Sequence, residues 1–285
     1  MTEHVPSRHV LSADGVSLAV YETGEPGRPT VVAVHGYPDD HTVWDGVVAL
    51  LAADFHVVTY DVRGAGASAA PQQREGYRIP HLVDDLLAVV DATAPGEDVH
   101  LIGHDWGSVQ SWGAVVDERL EQRLLSFTSI SGPSLDYASA WLRGIRRHPG
   151  AALRQLAESS YIGFFQLPVV PEAAIRAGLL DRLLAWSSGV QAPRSQRDAV
   201  NGLELYRANF LNRMASPEPR STVVPVQVIA PSRDPYISTR LACEAPEPYV
   251  PDLRTHVVDG GHWIVSRKPD VVVDLFRAFA ADVTR

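Results

Sequence analysis

The sequence predicts an α/β fold: a mostly parallel, doubly wound sheet interrupted by a helical cap insertion. Three observations lead there. Short β-branched and apolar runs recur up to about residue 133 and again after about residue 222. Helical patterns lie between those runs. The intervening block lacks them. Short apolar runs suit strands covered on both faces, and strands alternating with helices wind into a parallel sheet.

In chain order, residues 30–34 form a β-branched run that ends at His35-Gly36. Residues 55–60, 99–102 and 124–130 read as the next strands. Residues 79–92 place Leu82, Leu86 and Val89/Val90 on one face of a helix. From Ser134 to Ser221 the chain turns rich in Leu, Ala and Arg, with bulky aromatics from Trp141 to Phe210, as a helical cap would. Residues 223–229 and 253–258 resume the strands, and 269–281 read as a closing helix. The expected organisation is therefore core (1–133), cap (134–221) and core again (222–285).

Bulk properties exclude several function classes. Of 285 residues 45% are hydrophobic, enough for a large core, and 21% are charged, so wholesale disorder is not expected. A net charge of −9 without a basic block disfavours nucleic acid and anionic membranes as partners. A single cysteine, Cys243, cannot form an internal disulfide, and no segment is long and apolar enough to span a bilayer. A cytoplasmic chain with no metal or cofactor is the expectation.

The chemistry gathers in three segments. In Gly103-His104-Asp105-Trp106-Gly107 a strand ends, small residues flank a polar one, and a helix follows. This is the pattern of a nucleophile elbow, whose central side chain projects over the sheet at a helix N-terminus. Asp234, in Pro231-Ser232-Arg233-Asp234, lies just past one strand. His262, in Asp259-Gly260-Gly261-His262-Trp263, lies just past the next. A lone aspartate after a strand is usually a turn residue, and a lone histidine usually packs or faces solvent. Nucleophile, acid and histidine in this chain order carry the argument jointly.

These segments, with others, resemble the epoxide-hydrolase group of the α/β-hydrolase superfamily over nearly the whole chain. His35-Gly36-Tyr37-Pro38 is similar to that group's His-Gly-x-Pro loop, and Asp61-Val62-Arg63-Gly64-Ala65-Gly66-Ala67-Ser68 to its Asp-x-Arg-Gly-x-Gly-x-Ser loop. Tyr161-Ile162-Gly163-Phe164-Phe165 and Leu205-Tyr206-Arg207 resemble the segments that carry its two cap tyrosines. The first half also resembles hydrolase modules fused to short-chain dehydrogenases in some bacteria, although no dehydrogenase is read in this sequence. The resemblance implies Asp105 as nucleophile, His262 with Asp234 as water-activating base, and Tyr161 and Tyr206 as donors to the departing oxygen. Composition alone would leave both tyrosines as cap packing. The backbone N–H groups of Tyr37 and Trp106 would form the oxyanion hole. Phe164, Phe165, Trp186 and Trp263 are candidate contacts for a small apolar epoxide, with packing the competing role for Trp186 and Trp141. Arg63, Gly64 and Gly66 read as structural, and a homodimer is the assembly to test.

An aspartate at the elbow points away from esterases. Opening an epoxide with serine would leave an ether, which water does not readily cleave, whereas aspartate leaves an ester whose carbonyl activated water can attack. Haloalkane dehalogenases share His-Asp-Trp-Gly, but they need a halide donor where Tyr37 stands. Fluoroacetate-type dehalogenases carry an arginine where Trp106 stands. A non-catalytic receptor with a ligand under the cap would have no use for the three-residue constellation.

Water attacking the acyl carbon leaves the solvent oxygen in the carboxylate. A single turnover in oxygen-18 water with enzyme in excess should therefore give unlabelled diol and a labelled Asp105 peptide. Label in the first-turnover diol, with none in that peptide, would eliminate the covalent route.

Overall fold

The computed structural model describes residues 5–180, 182 and 195–283. One eight-stranded sheet runs through it, in the order β1-β2-β4-β3-β5-β6-β7-β8. The strands are β1 (Arg8–Leu11), β2 (Ser17–Thr23), β3 (Thr30–Val34), β4 (His56–Tyr60), β5 (Val99–His104), β6 (Leu124–Ile130), β7 (Val226–Pro231) and β8 (Leu253–Val258). β1, β2 and β4 pair antiparallel, and every pairing from β4 to β8 is parallel.

β3, β4 and β5 are buried along their whole length, as suits their mostly apolar runs. Their alternate residues feed two cores. Val31, Ala33, Val57 and Ile102 pack with α1 (Asp45–Leu51) and the C-terminal helix α12 (Pro269–Val283). Val32, Val34, Val58 and Leu101 face the other way, onto α2 (Ile79–Thr93) and the elbow helix α3 (Trp106–Ala114). Leu82, Leu86, Val89 and Val90 are the buried stripe of α2, as their spacing predicts.

Two expectations are corrected. The β1–β2 hairpin was not anticipated, although Asp14-Gly15 between the strands is a hairpin-turn signal and Gly15 takes a positive φ of 82°. The strand expected over 223–229 begins at Val226. Thr222 Oγ1 donates to the Val115 carbonyl and the Val223 N–H to Glu121 Oε1, so these residues are tied to the helix side before the ladder starts.

Between β6 and β7 the described residues hold no strand. They form α5 (Leu135–Arg143), α6 (Pro149–Glu158), α7 (Tyr161–Phe165), α8 (Val170–Arg176) and α9 (Gln196–Ala215). After β7 and β8 come α10 (Thr239–Glu244) and α11 (Ile264–Arg267). The short α4 (Glu118–Glu121) precedes β6. No described helix is long and apolar enough to cross a membrane.

Arg63 locks the loop after β4. Its fully buried guanidinium donates from Nε to Asp85 at 2.6 Å, and from Nη1 to Asp14 at 2.8 Å and to the Gly76 carbonyl at 2.6 Å. Asp85 is itself completely buried on α2. Removing one partner of such a pair strands the other charge. Arg63→Met should therefore lower unfolding stability by about 3–5 kcal/mol, read from urea denaturation. Arg63→Met with Asp85→Leu should recover part of the loss. A single variant as stable as wild type would show that the pair does not hold this loop.

Candidate active site

Asp105 ends β5 and opens α3 with φ 51° and ψ −124°, a conformation that costs an L-residue free energy and is kept where the surroundings over-determine it. Those surroundings leave no room beside it. A Cβ on Gly107 would collide with the Val34 carbonyl, and one on Gly36 with the Asp105 carboxylate. The Gly36 contact lets the following loop lie against the Asp105 carboxylate. The Tyr37 N–H donates to Asp105 Oδ1 at 2.7 Å, and the Tyr37-Pro38 peptide is cis. Trp106 is the first residue of α3.

His262 leaves the β8 loop between two carboxylates. Its Nδ1 lies 2.9 Å from Asp234 Oδ2 and its Nε2 3.4 Å from Asp105 Oδ2. Burial alone would lower the imidazole, but Asp234 and Asp105 push its pKa up to about 10. His262 thus lies between two carboxyl groups, an arrangement that favours its protonated form. Burial works against the Asp234 carboxylate too, yet the His262 charge and hydrogen bond and the Tyr236 N–H hold its pKa below the usual range. The Tyr236 and Ile237 N–H groups both donate to Asp234 Oδ1, at 2.9 and 3.2 Å. His104 is buried behind this array, and its Nε2 meets the His262 carbonyl at 2.9 Å.

Tyr161 starts α7 and Tyr206 lies in α9, and both face Asp105 across one cavity of about 230 Å³. Their rings meet edge to face with centroids 6.1 Å apart. Tyr206 also packs edge to face on Trp106, with ring centroids 4.9 Å apart. Burial first, and then neighbouring charge, raise both phenols well above their ordinary pKa, so both are protonated donors at neutral pH. Phe164, Phe165 and Trp263 line the same cavity, as does Tyr37. The Trp263 indole donates to Asp39 Oδ2 at 2.7 Å, which fixes its ring against the wall. A smaller apolar cavity, of about 60 Å³, meets the first at Asp105, Tyr161 and Tyr206. Trp186 lies outside the described residues. Trp141 is buried and bonded to Glu244.

The sequence reading passed over Tyr236. Its ring stands 4.9 Å from that of His262 and 5.4 Å from that of Tyr161, and it lines the main cavity. Its place two residues after the acid was the available signal, because a loop that folds back to bond its own carboxylate brings that side chain to the histidine. Ile175, Leu179 and Leu180 also line the cavity and carry no motif.

Fold and constellation together define an α/β protein with an aspartate elbow, a histidine–aspartate pair and a tyrosine-walled apolar cavity. The chain belongs to the family described as alpha/beta hydrolase fold, whose model matches residues 29–269. It is 37% identical over 292 residues to "Probable oxidoreductase EphD" of Mycobacterium tuberculosis, covering 96% of this chain and 49% of that protein. It thus spans about half the length of that relative. "Epoxide hydrolase A" of the same organism is 30% identical over 215 residues, covering 74% of this chain and 64% of that one. Among solved structures, an epoxide hydrolase of Bacillus megaterium bound to an inhibitor aligns with a TM-score of 0.78 at 22% identity, covering 95% of this chain and 99% of that one.

The flanking carboxylates set a pH signature. The folded imidazole pKa lies above the unfolded value of about 6.5, so its contribution to stability is complete below that pH and is lost as pH rises toward about 10. By nitrogen-15 NMR, His262 should remain doubly protonated at pH 8. Asp105→Asn removes one flanking charge and should bring its titration down by about one pH unit or more. An unchanged titration in that variant would rule out Asp105 as a source of the shift.

Proposed function

We propose that this chain hydrolyses an apolar epoxide to a vicinal diol through a covalent ester on Asp105. The observation that carries the reading is the array itself: a carboxylate facing two protonated phenols across an apolar cavity, with a carboxylate-backed imidazole behind it. Relatives named epoxide hydrolase support it. On this reading residues 134–221 form a cap over a core made of 1–133 and 222–285, and the compartment is the cytoplasm.

The Tyr37 N–H occupies Asp105 Oδ1, which leaves Oδ2 to attack a ring carbon. The C–O bond of the ring breaks, and the tyrosine pair protonates the departing oxygen. Esterification removes the Asp105 charge and with it one of the two carboxylates that hold His262 protonated. His262 then returns a proton to the tyrosine and becomes a neutral base. It takes a proton from water, whose oxygen attacks the acyl carbon. The oxyanion forms at the Tyr37 and Trp106 N–H groups, where one donor contributes on the order of 3 kcal/mol. The diol leaves with the His262 proton, and the Asp105 acid restores that proton to His262. Cavities on both sides of Asp105 accommodate a substituent on each ring carbon. The dehalogenase alternative loses ground because the Tyr37 hydroxyl, the side-chain donor at the relevant loop position, donates to the Ala199 carbonyl at 2.9 Å.

A panel of apolar epoxides should give diols with the wild type and none above blank with Asp105→Ala. His262→Gln should open the ring and stall, and intact-mass spectrometry should find the protein heavier by one substrate. Turnover by Asp105→Ala, or halide release from haloalkanes in place of diol formation, would overturn the assignment.

A further inference from the structure

The loop after β7 must hold Asp234 at one angle to His262, and its two halves are held by different elements. The incoming half is tied to the sheet side: the Ser232 N–H donates to the Val258 carbonyl at 2.8 Å and the Arg233 N–H to the Gly260 carbonyl at 2.9 Å. The outgoing half is tied to the helical excursion, where the Tyr236 ring packs on that of Tyr161 and one side chain bonds the backbone of the turn on two sides. Gln155, in α6 and 1% exposed, donates from Nε2 to the Tyr236 carbonyl at 2.8 Å and accepts at Oε1 from the Ser238 N–H at 2.8 Å. Its Nε2 also donates to Ser159 Oγ at 3.0 Å.

The peptide units that Gln155 engages adjoin those that engage Asp234. The N–H groups of Tyr236 and Ile237 bond the Asp234 carboxylate, while the carbonyl of Tyr236 and the N–H of Ser238 bond Gln155. The turn is thus clamped between a carboxylate inside and a carboxamide outside. Gln155 also sits six positions before Tyr161, at the end of α6 that leads into α7.

We propose that Gln155 is a positioning residue: its carboxamide latches the Asp234 loop to the segment that carries Tyr161, and through Asp234 it sets the orientation in which His262 meets water. Asparagine or methionine at this position breaks the latch in different ways. Methionine fills the space but offers the loop no hydrogen bond. Asparagine keeps both polar groups on a stem one methylene shorter. In either variant the half-buried Tyr236 carbonyl and Ser238 N–H lose their partner, and the turn relaxes about the carboxylate.

The consequence falls on the step that uses His262. The part that concerns catalysis rests on the epoxide reading above, so two measurements are needed. The first requires no substrate. The His262 Nδ1 proton, shared with Asp234, should give a low-field proton resonance in the free enzyme. In both Gln155→Met and Gln155→Asn it should move upfield or broaden beyond detection, while the far-ultraviolet circular dichroism stays that of the wild type. A role in packing alone would leave that resonance in place, and an unchanged resonance in both folded variants overturns the latch.

The second is rapid-quench kinetics with styrene oxide and with whichever panel epoxide the wild type opens fastest. Hydrolysis of the ester should slow by about tenfold in the variants, and ester formation should change by less than about threefold. Equal slowing of both steps, or of neither, overturns the proposal. If the wild type forms no ester with any epoxide, the epoxide reading falls, and the proton resonance alone then decides whether Gln155 positions Asp234.

Discussion

One imidazole held between two carboxyl groups organises this molecule. Three charges share an enclosure with apolar walls, where an unpaired charge would be costly, so each must be answered at short range. Asp234 is answered by His262 and by two backbone N–H groups, and Asp105 by His262 and by the Tyr37 N–H. The elbow strain at Asp105, the close approach at Gly36 and the turn at 234–237 are what it takes to bring those partners together. The array also has a natural second state. On the proposed ester route, converting one flanking carboxylate to a neutral ester would remove part of what favours the charged imidazole, so the geometry that holds a proton beforehand would release it after a bond to Asp105 has formed.

The site is shared between two bodies of structure that meet at Trp106. Its backbone starts α3, next to Asp105, while its indole packs edge to face on the ring of Tyr206 on α9, with centroids 4.9 Å apart. Tyr37 makes a similar span: its N–H serves Asp105 and its hydroxyl serves the Ala199 carbonyl on the same helix. The excursion is thus fastened beside Asp105 by aromatic side chains rooted just past β5 and β3, and the distance from phenol to carboxylate is set by rigid groups with few torsions.

What could be read from the sequence was what local pattern encodes. β3 and β6 stand where their apolar runs lie, since a strand buried on both faces has little else to signal. The elbow was legible because glycine, aspartate and glycine are required within five consecutive residues. Asp234 and His262 were legible through their positions after strands. The β1–β2 hairpin was missed because β1 is exposed at three of its four residues and both strands are mixed in polarity. Gln155 acts by tertiary approach across 81 residues, and no local spacing marks such a contact.

The two outermost strands decide what the sheet can recruit. β1 ends one side of it and β8 the other, and an open edge is a template for another chain. Arg8 lies on β1, ion-paired to Glu22 at 2.7 Å. Arg254 lies on β8, paired to Asp282 at 2.9 Å and folded over the Phe279 ring. A foreign strand pairing with either edge would have to desolvate these arginines and their carboxylates. The parallel interior, rich in valine and isoleucine and by itself a strong aggregation sequence, is thereby fenced at both margins by charge.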